Sequence, residues 1–116
     1  MKTMKLLKAA AAAKEEAGEV FKSGNFEAAI ETYNEVLKLD PLNLTFNSTL
    51  CLNKAICQVK LGLQDDALAT LNLCLRMNPE YAKALVKRGE VYQNLKEWDE
   101  AVDDYSAASN IDPAGF

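Results

Sequence analysis

Apolar and polar positions along this chain follow a helical period and recur as a block. Three prolines punctuate the pattern, each behind a short polar residue: Asp40-Pro41, Asn78-Pro79 and Asp112-Pro113, spaced by 38 and 34 residues. Counted back from each proline, the same residue classes return. Small residues stand first (Ala17, Ala55, Gly89), then an alanine (Ala29, Ala67, Ala101), a large residue (Tyr33, Leu71, Tyr105) and a smaller one (Val36, Cys74, Ala108). A block of this length and content predicts two antiparallel helices per repeat. The small residues let paired backbones approach, and the large ones fill the gaps between neighbouring pairs. Proline closes the second helix because the residue before it is pushed out of the α region. First helices are predicted near 5–23, 44–61 and 80–95, and second helices near 25–39, 64–77 and 97–110. Gly24 and Gly62 mark equivalent turns, where Lys96 replaces the expected glycine.

One such pair cannot bury its apolar face alone. The prediction is therefore an all-α chain of three helix-turn-helix pairs, stacked as a right-handed solenoid with a concave and a convex side. The tyrosines and Trp98 occupy frame positions and are expected in the core. Calcium-loop spacing is absent from the acidic stretch Glu97, Asp99, Glu100, Asp103 and Asp104, which reads as a solvated outer face.

This frame resembles the tetratricopeptide repeat over about residues 10 to 115. "FKSGNFEAAIETYNEVLKLDP" and "YAKALVKRGEVYQNLKEWDEAVDDY" are similar to the repeat region of DnaJ-type co-chaperones, although no J domain lies in these residues. The resemblance divides the chain into an extension of the first helix (1–9), repeats at 10–43, 48–81 and 82–115, and a lengthened link at 44–47. Such arrays are closed by a polar capping helix, and none follows Pro113. The expectation is a fragment of a longer protein, monomeric or weakly dimeric through an uncapped end.

Charge and composition narrow the function. A chain that is 49% apolar and 26% charged can fold as a globular domain, and no apolar run is long enough to span a membrane. Its net charge of −4 is a poor footprint for nucleic acid or an anionic membrane surface. With no histidine, His-dependent triads and His-containing zinc sites are excluded. Cys51, Cys57 and Cys74 are odd in number and lack C-x-x-C spacing, so they are expected as reduced, packed thiols. Asp65-Asp66 and Asp103-Asp104 are adjacent in sequence and diverge by about 100° on a helix, giving no convergent carboxylate pair. No enzyme activity, cofactor or metal is expected. The sequons at Asn43 and Asn47 have meaning only in a secretory compartment. The cytoplasm is the expected location, with the endoplasmic reticulum lumen as the alternative.

The concave side comes from the first helix of each pair. Its predicted lining is Gly18, Phe21, Lys22, Leu52, Ile56, Val59, Lys60, Val86 and Glu90, together with Lys14, Lys83 and Lys87. Among the charged groove positions, five lysines (Lys14, Lys22, Lys60, Lys83, Lys87) stand against Glu15 and Glu90. This inverts the sign of the whole chain and would steer an acidic peptide inward. The resemblance implies more. Chaperone-adaptor repeats hold the acidic C-terminal tail of heat-shock chaperones in a five-residue carboxylate clamp. Four of its positions match Lys14, Asn53, Lys83 and Lys87, while the remaining asparagine falls on Gly18. The alternatives are an array that holds unfolded client chains through Leu52, Ile56, Val59 and Val86, or an intramolecular scaffold.

Overall fold

The computed structural model describes residues 19, 22–39 and 42–113, and every regular element among them is a helix. These are α1 (Phe26–Leu37), α2 (Leu44–Lys60), α3 (Gln64–Met77), α4 (Ala82–Asn94) and α5 (Trp98–Ile111). Each begins and ends within two residues of a span predicted from the sequence. The helix expected over 5–23 falls almost wholly outside the described residues.

Local chemistry sets the boundaries. The Asn25 side chain accepts a hydrogen bond from the Ala28 N–H at 3.3 Å, and Asn43 accepts one from the Phe46 N–H at 3.2 Å. Each satisfies one of the amides that a helix start leaves unpaired. Acidic residues in the first turns of α3 (Asp65, Asp66) and α5 (Asp99, Glu100) complement the helix dipole. Helices α2 and α4 close with the same wrapped turn. In α2 the Leu63 N–H donates to the Gln58 carbonyl at 2.8 Å and the Gly62 N–H to that of Val59 at 3.0 Å. In α4 the Glu97 N–H donates to Tyr92 at 2.8 Å and the Lys96 N–H to Gln93 at 3.0 Å. This closure needs a left-handed residue. Gly62 supplies it at φ +79° without steric cost, whereas Lys96 adopts φ +63° and bears about 1–2 kcal/mol of strain.

Packing follows the repeat. Helices α2 and α3 pair across a short turn, as do α4 and α5, while α1 rests on α2 and α3 on α4. Helix α2 also touches α4, so the first helices of successive pairs share one side. From α2, Leu50 and Cys57 reach Ala29, Tyr33 and Val36 of α1. Another face sends Cys51, Leu52 and Ala55 to a cluster with Ala67, Leu71 and Cys74 of α3 and Ala84, Leu85 and Val91 of α4. The small and large frame positions meet in one contact at the third pair: a Cβ on Gly89 would lie 2.9 Å from Tyr105 Cε1.

All three cysteines are free thiols in this core. Burial pushes the Cys57 pKa up to about 11, and burial followed by the nearby Cys51 pushes Cys74 up to about 12. They are neutral packing groups, and the Cys74 thiol donates to the Ser48 carbonyl at 3.2 Å.

Two expectations need correction. Trp98 is 58% exposed and not part of the core. Its frame equivalent Phe26 packs against the α1–α2 cluster because α2 follows α1, and no described helix follows α5. Asp104 does not lie on a solvated face: it is buried on the same stripe of α5 as Ala101 and Ala108. Among the described residues no helix is long and apolar enough to cross a membrane. Asn47, the second sequon asparagine, is buried, so a glycan there is incompatible with α2 packing as it does.

Candidate functional site

The predicted groove positions among the described residues lie on α2 and α4, with Lys22 ahead of α1. On α4, Lys83, Lys87 and Glu90 are separated by four and three residues, which places them along one face. Lys83 is exposed near the start of the helix, whereas the other two are half-buried. On α2, Asn53, Ile56 and Lys60 share a face by the same spacing. Lys60 is exposed at the helix end, and Asn53 is half-buried. Lys22 is exposed just before the Gly24 turn. Lys14, Gly18 and Phe21 lie outside the described residues.

The Lys87 ammonium has a resident partner: it donates to Glu90 Oε2 at 2.7 Å. Beside Asn53 lies the Tyr33 phenol of α1, whose pKa is raised by burial first and then by the nearby Cys57, with the Asn53 amide acting in the opposite direction. The phenol thus stays neutral.

The apolar members of the predicted lining behave differently. Leu52 is buried in the core, and Ile56, Val59 and Val86 are partly buried against it. The exposed large apolar side chains among the described residues are Leu42, Leu44, Leu63, Leu73, Trp98, Val102 and Ile111, none of them a groove position. Among the described residues the predicted lining is therefore mixed, with Lys22, Lys60 and Lys83 exposed, Leu52 buried and the other polar and apolar members alike half-buried.

Sequence reasoning missed the polar cluster on the neighbouring face of α4. Arg88 Nε donates to Asp104 Oδ2 at 2.8 Å and Nη2 to Oδ1 at 2.6 Å, a two-pronged pair with α5. The same guanidinium reaches back to Asn72 Oδ1 of α3 at 3.1 Å and lies 5.9 Å from the centre of the Tyr92 ring. The Asp104 hydrogen bonds outweigh burial and push the Arg88 pKa further up, so this side chain is permanently charged. The signal for it was present in the spacing, because Ala101, Asp104 and Ala108 fall on one helical stripe. Among the described residues no group of three His, Cys, Asp or Glu side chains could hold a metal.

Family models for the tetratricopeptide repeat match residues 21–41, 48–81 and 82–114. The chain belongs to the tetratricopeptide-repeat family. Domains of this family are protein-interaction modules, generally without enzymatic activity. Human DnaJ homolog subfamily C member 7 is 36% identical over 98 residues, 84% of this chain and 20% of that protein. This tetratricopeptide array thus spans about a fifth of the length of the first curated relatives it matches. The first TPR of Spaghetti (RPAP3), solved bound to the HSP90 peptide SRMEEVD, superposes with a TM-score of 0.84 at 30% identity, covering 92% of this chain and 82% of that one. The second TPR domain of human RPAP3, solved with the HSP70 peptide SGPTIEEVD, gives 0.83 at 25% identity over 94% and 88% of the two chains.

Proposed function

We propose that this chain is the peptide-docking module of a co-chaperone and that its inner groove takes the acidic C-terminal tail of a heat-shock chaperone. The observation that carries the reading is the α4 face, where Lys83 and Lys87 stand one turn apart on the inner layer of a chain with net charge −4. A terminal aspartate presents two carboxylates. Lysines and an amide donor hold such a pair through charge-assisted hydrogen bonds. Lys83 and Lys87 supply charge from the third repeat, Asn53 an amide from the second and Lys14 a charge from the first. The peptides in the two solved relatives both end in Glu-Glu-Val-Asp, which supports this ligand class.

Gly18 stands where the resemblance expects an amide arm. A lost donor of this kind costs about 1–3 kcal/mol, and lysine at position 87 offers a point charge in place of arginine's two-pronged fork. The expected affinity is on the order of micromolar. Burial of Leu52 and the absence of exposed apolar side chains from the described groove positions weigh against a client-holding surface. Burial of Asn47 favours the cytoplasm over a glycosylating compartment.

The test is a calorimetric titration with a peptide ending in Met-Glu-Glu-Val-Asp at two salt concentrations, with its C-terminal amide as control. Saturable binding that weakens with salt and is lost on amidation is the expected result. Silence at millimolar peptide would sink the reading.

A further inference from the structure

Lys87 is already engaged within the groove. Its ammonium donates to Glu90 Oε2 at 2.7 Å, with 26% of the lysine side chain and 46% of the glutamate exposed. The two residues are one helical turn apart on the face proposed to receive the ligand, so the pair forms within α4 without any ligand. Glu90 also sits near the Tyr105 hydroxyl, whose pKa is raised by burial first and then by Glu90 and Asp104. That hydroxyl donates to Gln93 Oε1 at 2.9 Å. The neighbouring cation of this helix, the Arg88 guanidinium, is committed to Asp104 and Asn72. Lys87 is thus the one cation to which Glu90 is bonded among the ion pairs of the described residues.

We propose that Glu90 is a resident competitor of the ligand, an affinity-limiting carboxylate that an incoming C-terminal carboxylate must displace from Lys87 or share it with. The inference rests on the docking reading above and deepens it. An ammonium carries three donors, so a second carboxylate has a bond to gain at Lys87. Two carboxylates around one ammonium repel each other, however, and swinging Glu90 outward breaks its own bond. Either path weakens the hold of the face on any carboxylate ligand, by the bond that Glu90 gives up or by the repulsion it exerts if it stays. Glu90 consequently limits the affinity that Lys87 can lend to an acidic tail.

The experiment compares the intact chain with Glu90→Gln and Glu35→Gln, titrated with the Met-Glu-Glu-Val-Asp peptide at low salt. Glu35 pairs with Lys38 by the same i,i+3 spacing at the end of α1, outside the predicted groove, and both members of that pair are largely exposed. The two variants therefore change net charge equally, and each replaces an exposed or half-exposed group with its isosteric amide. Glu90→Gln is expected to bind about threefold to tenfold tighter, with Glu35→Gln unchanged. If the unaltered chain binds and Glu90→Gln binds no tighter, or Glu35→Gln gains as much, the competitor role is overturned and the docking reading stands. Silence from the unaltered chain at millimolar peptide overturns both.

Discussion

Lys87 and Arg88 are adjacent in sequence and carry the same charge, yet α4 delivers them to different neighbourhoods. A step of about 100° per residue turns one toward the face proposed to dock a peptide and the other toward α5. Arg88 meets a buried carboxylate with two parallel bonds of 2.8 and 2.6 Å and spends a third donor on Asn72. Lys87 makes a single bond to a half-exposed glutamate on its own helix. A planar guanidinium matches the carboxylate fork and is weakly hydrated, which suits it to a fixed, desolvated pair. A flexible, well-hydrated ammonium suits a bond that must be exchanged for another. The difference separates a charge that holds the fold from one that the proposed docking would engage.

The sharpest way to break this comparison is to remove Asp104. Asp104→Ala leaves Arg88 charged against a desolvated surface and is expected to cost about 3 kcal/mol, lowering the thermal midpoint by roughly 10 °C in a circular-dichroism melt. The double variant Arg88→Leu/Asp104→Leu should recover most of that loss, since it leaves no orphaned charge. A smaller effect is expected from Asn72→Ala, which removes one hydrogen bond to the guanidinium and should cost about 1 kcal/mol by urea denaturation. Smallest for stability is Lys87→Ala, within about 0.5 kcal/mol of the unaltered chain. Its signature is instead a loss of peptide affinity of about tenfold or more in the calorimetric titration. A Lys87→Ala variant that melted as early as Asp104→Ala would erase the distinction between the two pairs.

Much of this architecture is legible in the sequence because the signals are steric. Proline stops a helix wherever it falls, and Ala29, Ala67 and Ala101 mark close approaches that tolerate nothing larger. The substitution of Lys96 for a glycine is likewise readable as a left-handed residue, because the repeat fixes the turn and only backbone geometry is at issue. Trp98 was misplaced because its frame position specifies a contact with a following helix, and the repeat pattern alone does not supply that helix. Asp104 was misplaced by composition: it stands among acids and was read with them, although its spacing from Ala101 and Ala108 puts it on the buried stripe. The shared faces of Lys83, Lys87 and Glu90 on α4 and of Asn53, Ile56 and Lys60 on α2 follow from spacing alone. The bond between Lys87 and Glu90 was not, because it depends on side-chain rotamers that no periodicity encodes.

The reach of Arg88 has a consequence for how the array comes apart. Asn72 belongs to the second helix pair, whereas Arg88 and Asp104 belong to the third. In a stacked array, cooperativity is the sum of what each unit contributes alone and what each interface adds between neighbours. One guanidinium here contributes to both quantities, closing its own pair through Asp104 and coupling it to the preceding one through Asn72. Strong coupling makes neighbouring units melt as a single body. Without the Asn72 bond the last pair would gain freedom to open on its own, broadening the transition and lowering the apparent denaturant slope while the rest of the solenoid stayed folded.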